Sequence, residues 1–243
     1  AEGGMEEGLN ATSQILKVRG RVVPSTLTDI QLQAEMTDGT IVSGESKIPE
    51  ARKRIKKMLM CPENAPATSG AVEAILKADV LIFGPGSLYT SVIPNLLVKE
   101  IREAVVKSEA VKIYVCNVMT QPGETDGYGA FEHVKALLDH VGEQFLDYVI
   151  VNDEKISAEQ LKQYFAEGAM PVTPDIDKIR RLGITVVPAS LISKKNLVRH
   201  EPKKLSRVLI TLIYRLRLFG KGVQFFDYIF MRHGLNIMEK EHK

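Results

Sequence analysis

The residues best suited by type and spacing to do chemistry are Gly84-Pro85-Gly86-Ser87-Leu88-Tyr89-Thr90-Ser91, which follow the apolar run Val80 to Phe83 and lead into a helical pattern. A glycine turn between a strand and a helix lets backbone N–H groups approach an anion with no Cβ in the way, and the helix N-terminus favours negative charge. Hydroxyls of Ser87, Thr90 and Ser91 would complete a phosphate cradle around Gly84 and Gly86. The spacing is neither the dinucleotide fingerprint G-x-G-x-x-G nor a Walker loop, because no Gly-Lys-Ser/Thr follows. A tight βα turn without a ligand is the competing explanation. A second loop supports the binding reading: the strand pattern Lys112 to Cys116 runs into Asn117-Val118-Met119-Thr120-Gln121-Pro122-Gly123-Glu124-Thr125-Asp126-Gly127-Tyr128, which is long and rich in donors and acceptors. If the two strands are parallel neighbours, both loops leave one sheet edge, and Gly84, Gly86, Ser87, Asn117, Thr120 and Thr125 line a crevice.

Within the second loop, Glu124 or Asp126 has the chemistry to hold a divalent cation such as magnesium or a ribose hydroxyl, although a turn or helix cap is the favoured role for Asp126. Hydrolysis draws little support, since Ser87 is not in a G-x-S-x-G elbow. His133 and His140 fall two turns apart on one helix, too far to share a metal without a third ligand, and read as surface or packing histidines. Arg199-His200 is a short charged pair whose arginine fork suits a diphosphate, or it is a solvated turn.

The elements that must position these groups follow from periodicity. Glu6 to Lys17 reads as the tail of a helix and Val18 to Pro24 as a strand. Ile30, Leu32, Ala34 and Met36 alternate with polar residues, and Asp38-Gly39 then predicts a hairpin returning through Thr40 to Ser46. Ile55 to Met60 is a further strand. From Thr68 onward helices and strands alternate: helix 68–78, a buried strand 79–83, helix 94–108, strand 111–116, helix 127–141, strand 147–151, helix 157–167 capped by Ser157, and strand 183–188. Leu205, Val208, Leu209, Leu212, Ile213, Leu216 and Phe219 carry the spacing of an amphipathic helix. The expected architecture is α/β, a Rossmann-like mostly parallel sheet with flanking helices and an inserted β-hairpin, with residues 1–221 as one domain and 222–243 as a tail.

At 243 residues with 44% hydrophobic and 26% charged content, the chain can build a full core, which excludes fibrous and wholly disordered classes. No apolar run approaches the ~20 residues of a membrane span, and the start Ala1-Glu2-Gly3-Gly4 lacks the features of a signal peptide, so a cytoplasmic protein is expected. Cys61 and Cys116 make no C-x-x-C pair and read as two buried thiols. Residues 194–221 hold nine basic residues against Glu201 alone, which gives +8 within a chain of net +2. That block is a surface for an anionic lipid or nucleic acid, or a solvated helix face. Its apolar stripe favours packing on the body or on a second subunit, so no nucleic-acid partner is expected. Phe225, Phe226, Tyr228 and Phe230 form a cluster suited to a subunit contact, hence an expected homo-oligomer.

The run GPGSLYTSVIPNLLV from Gly84, with CNVMTQPGETDGY from Cys116, VRGRVVPST from Val18, the AEMTDGTIVSGES hairpin and the Arg199-His200 pair, closely resembles the gluconeogenesis factor branch of the CofD-like (2-phospho-L-lactate transferase) superfamily. The resemblance extends from Gly8 to about Leu209. It implies a regulator that binds UDP-sugars such as UDP-N-acetylglucosamine and is linked to growth on gluconeogenic carbon, cell shape and cell-wall synthesis, with a cell-wall synthesis protein as partner and no established catalysis. The other branch transfers a phospholactyl group in coenzyme F420 biosynthesis with magnesium. By the same resemblance Tyr164 and Arg199 would contact the UDP-sugar, beside Gly84, Gly86, Ser87, Asn117 and Thr120 on the nucleotide. The family normally opens with a strand and a GGGTG phosphate loop, which this sequence does not contain, so an amino-terminal third is expected to be missing.

Overall fold

A computed structural model of the chain describes Gly4, Gly8, residues 20–193 and residues 198–219. Two sheets form. In the first, β1 (Gln31–Met36) pairs antiparallel with β2 (Ile41–Ser43) and β3 (Ile55–Cys61), in the order β2-β1-β3. Alternation along β1 puts Leu32, Ala34 and Met36 into the core, and Ile55, Met58 and Met60 of β3 join them. The predicted hairpin is present, turning through Thr37-Asp38-Gly39 with the Asp38 carboxylate accepting the Thr40 N–H at 3.0 Å. Its return strand is shorter than expected, because Gly44 ends it and α1 (Lys47–Glu50) follows.

The second sheet holds β4 (Val80–Phe83), β5 (Val111–Val115), β6 (Tyr148–Asn152) and β7 (Thr185–Ala189), all parallel and side by side in chain order. The intervening helices are α2 (Ser69–Lys77) ahead of the sheet, a π-helical turn Leu88–Val92 running into α3 (Ile93–Leu97), α4 (Lys99–Lys107), α5 (Ala130–Val141), α6 (Ala158–Glu167), α7 (Ile176–Arg180) and the terminal α8 (Pro202–Phe219). Thr68 caps α2 by accepting the Ala71 N–H, and Ser157 caps α6 by accepting that of Gln160. Parallel strands laid down in sequence by right-handed crossovers place their connections on one face. That face, with Tyr114, Cys116, Val149, Val151 and Val186, shares one apolar core with the antiparallel sheet, α3, α4, α5 and α7. The opposite face, with Val111, Ile113, Val115, Ile150 and Val187, is covered by Leu205, Val208, Leu212 and Leu216 of α8.

Four expectations change. The described part of the predicted strand 18–24, residues 20–24, is irregular: the Pro24 and Ser25 carbonyls accept the hydroxyl and N–H of Thr68, so the segment docks on the start of α2 instead of joining a sheet. The predicted helix 94–108 breaks at Val98, whose backbone is extended at ψ 114. Among the described residues the strand at 80–83 lies at the edge of the sheet rather than buried within it, and Ile82 is 44% exposed. Cys61 is exposed at the end of β3, whereas burial pushes the Cys116 thiol up to about 12. Of the helix predicted over 6–17 only Gly8 is described, and the aromatic cluster at 225–230 and the boundary after residue 221 lie outside the described residues. Among the described residues no helix is long and apolar enough to cross a membrane.

Candidate functional site

Because β4 and β5 are adjacent and parallel, with Phe83 in register with Tyr114, the Gly84 and Asn117 loops leave the sheet side by side. The Asn117 side-chain amide donates to the Gly86 carbonyl at 3.1 Å and ties them together. Its carbonyl oxygen Oδ1 is buried and has no hydrogen-bond partner among the described residues. Gly84 has φ +82, and a Cβ there would approach the Val115 carbonyl to 3.1 Å, so the sequence needs glycine for this loop to cross the end of β5.

After Gly86 the chain enters the π-helical turn, with the N–H groups of Ser91 and Val92 both reaching the Ser87 carbonyl at 3.0 Å. Ser91 is exposed and lines a groove of about 550 Å³ with Gly84, Gly86, Asn95, Arg21 and Ser25 above an apolar floor. Thr90 turns the other way, donating its hydroxyl to Glu124 Oε1 at 3.0 Å, where the Gln121 amide also donates at 2.7 Å. Glu124 is only 3% exposed, and its second oxygen lacks a partner among the described residues. Burial raises its pKa above the ordinary carboxylate range, against the pull of the Thr90 hydroxyl and the Tyr89 and Thr90 N–H groups. The start of this helical turn therefore already carries an internal carboxyl group.

The other loop hydroxyls are also engaged inside the protein. Thr125 accepts the Gln121 N–H at 2.8 Å, and Thr120 accepts the Met170 N–H at 2.8 Å. Asp126 accepts the Gly123 N–H at 2.7 Å, a turn role. His133 and His140 pack inside, each donating from Nδ1 to the carbonyl one turn back, at Gly129 and Ala136. No group of three His, Cys, Asp or Glu residues among the described ones is placed to hold a metal ion.

A third segment reaches the same edge. The Tyr164 hydroxyl on α6 accepts the Val198 N–H at 2.9 Å and lies 3.4 Å from its carbonyl. His200 bonds the Cys116 carbonyl at 3.2 Å, and between them Arg199 is exposed. Thus Gly84, Gly86, Ser87, Ser91 and Asn117 gather at the carboxyl ends of β4 and β5, with the Tyr164-Arg199 segment beside β5, while Thr90, Thr120 and Thr125 point into the loops. Sequence reasoning missed Arg21, Ser25 and Asn95. Asn95 carried a signal, since it stands one turn after Ser91 and donates to its carbonyl at 2.8 Å. Arg21 and Ser25 carried none, because only docking on α2 brings them there.

Comparison with known proteins adds the context. Residues 1–192 match the family described as 2-phospho-L-lactate transferase CofD. The gluconeogenesis factor of Bacillus subtilis (strain 168) is 46% identical over 83% of this chain and 64% of its own length. That of Halalkalibacterium halodurans is 44% identical over 86% of this chain and 65% of its own length. The chain thus spans just under two thirds of these relatives. A crystal structure of a UPF0052-family protein from Bacillus halodurans superposes with TM-score 0.82 at 44% identity, covering 84% of this chain and 66% of that one. A family match over most of the chain, together with this likeness in sequence and fold, establishes that the chain belongs to the CofD family, in its gluconeogenesis factor branch.

Proposed function

We propose that the chain is the nucleotide-sugar-binding body of a cytoplasmic, homo-oligomeric regulator, with a UDP-N-acetylglucosamine-type ligand at the carboxyl edge of β4 and β5. In this reading it reports carbon or wall-precursor status to a cell-wall synthesis partner. The observation that carries the reading is the convergence of three polar segments on one strand edge, through the Asn117-Gly86 and His200-Cys116 hydrogen bonds. Asn117 Oδ1, without a partner among the described residues, is an acceptor that would suit a donor such as a ribose hydroxyl or a uracil N–H. Arg199 would take the diphosphate bidentately, and Tyr164 would position it by clamping the Val198 backbone.

The transferase reading would need magnesium. Glu124 and Asp126, the carboxylates that would hold it, bond within the protein to Thr90, Gln121 and Gly123, and among the described residues they belong to no group of three His, Cys, Asp or Glu placed to hold a metal ion, so they do not fit a cation.

Thermal unfolding decides between the two. UDP-N-acetylglucosamine, UDP-glucose and GDP with magnesium are titrated against this chain and against one extended to the length of its relatives. A UDP-sugar at 100 times its Kd should add ~2.7 kcal/mol to the folded state. Arg199→Ala should weaken binding at least tenfold, and Tyr164→Phe should weaken it less. Stabilisation by GDP with magnesium and by no UDP-sugar in either chain overturns the proposal in favour of the transferase.

A further inference from the structure

A second cavity lies away from the crevice, between the antiparallel sheet and α5. Its volume is about 230 Å³, below the ~300–1,000 Å³ of pockets that take drug-sized ligands, so its occupant is small. Tyr89 from the π-helical turn and Tyr128 from the end of the Asn117 loop enter it from one side. Their hydroxyls lie 2.8 Å apart, in a bond that uses one of the two phenolic protons. The other proton has no acceptor among the described residues. Burial raises the Tyr89 pKa further above its ordinary value, so the Tyr89 hydroxyl stays protonated and keeps a proton to donate.

The lining cations other than Arg54 are matched by carboxylates. Lys56 pairs with Glu35 at 2.6 Å and Lys135 with Asp139 at 2.7 Å, while Glu132 accepts the Gly129 N–H at 2.9 Å. His140 accepts the Met58 N–H on Nε2 at 2.9 Å, and burial lowers its pKa, so it is neutral. Arg54 is the lining cation with no ion pair among the described residues. Its guanidinium stands 5.7 Å from the centre of the Tyr128 ring, which fixes its position without neutralising it.

We propose that this cavity binds a compact oxyanion, a phosphate or a short carboxylate, held by the Arg54 fork and the spare phenolic O–H of the Tyr89-Tyr128 pair. The geometry supplies a planar donor set and a neutral O–H, and no competing cation bridge. Because Tyr89 belongs to the same five-residue turn as Thr90 and Ser91, an anion here bears on the element that walls the larger groove.

The chain has 7 tyrosines and no tryptophan, so emission from Tyr89 and Tyr128 is not masked by tryptophan, and the Arg54 variant assigns the signal to this cavity. The protein is titrated with inorganic phosphate and, separately, acetate, against sodium chloride at matched ionic strength. At least one of the two should give a saturable change that chloride does not, weakened tenfold or more by the surface substitution Arg54→Gln. The Tyr89→Phe/Tyr128→Phe double variant, followed by calorimetry since its emission is altered, should weaken binding as well. No saturable response to either anion, or a response that Arg54→Gln weakens less than tenfold, overturns the proposal; in the latter case the anion sits elsewhere, the nucleotide crevice included.

Discussion

Gly123 has φ +83 with the Pro49 backbone against its α-carbon, so a Cβ added there would fall inside the Pro49 carbonyl group. This contact pins the Gln121 to Asp126 turn onto α1 and so sets where Glu124 and Thr125 stand. Gly127 has a similar φ of +70 but open space around it. The comparison separates two costs. Gly127→Ala should lose only the left-handed penalty, about 1–2 kcal/mol. Gly123→Ala must also displace the Pro49 backbone, and should lose about 1–2 kcal/mol more, read as a lower urea midpoint at unchanged slope. Equal losses would show that the Pro49 contact yields freely. At this scale the sequence is least legible: Thr90, Thr120 and Thr125 have the composition of a ligand cradle, yet each bonds within the protein. A hydroxyl's position along the chain does not say which way it turns; its partners do, and these lie as far off as Met170.

Elements were far more legible, because periodicity records which face is buried. The alternation of β1, the parallel strands and the stripe of α8 follow from it, and the Ser157 cap follows from its capping box. The π-helical turn and the break at Val98 did not, since no change in apolar spacing marks either. Helix α5 also joins sequence to pH dependence. Burial lowers the pKa values of its His133 and His140, and of His200 near the crevice. A histidine with a depressed folded pKa binds its proton more readily unfolded, so stability is lost as pH falls from about 6.5 through the folded values. Glu124 has the opposite sign. Its raised folded pKa makes its contribution fully present below about 4.5 and lost as pH rises through the folded value. Glu124→Gln should therefore gain stability relative to wild type with rising pH and steepen the net acid-side loss. Urea unfolding from pH 4.5 to 8 checks this; parallel curves for the two proteins would mean that the carboxyl group titrates alike folded and unfolded.

At the scale of the whole molecule, the order β4-β5-β6-β7 has a mechanical consequence. Crossovers of one hand put the connecting helices on one face, so among the described residues the other is covered by α8 alone, laid across Val111, Ile113, Val115, Ile150 and Val187. The basic character of this terminal segment is partly a tether: Lys204 pairs with Glu154 at 3.0 Å and donates to the Ile192 carbonyl at 3.0 Å, fastening the start of α8 beside the Arg199 segment. Removing apolar contact from α8 should then loosen the central sheet and the site at its edge together. Leu212 is fully buried in that seam, whereas Ile210, two residues earlier, is 67% exposed. Leu212→Ala should cost about 2–5 kcal/mol, and Ile210→Ala less than about 0.5 kcal/mol. Hydrogen exchange locates the effect: Leu212→Ala should lower amide protection along β5 and β6 and not in β1 or β3, which pack in the other core. A loss shared equally by both sheets would mean that the two cores unfold as one unit, and a loss below 1 kcal/mol would mean that α8 covers this face without holding it.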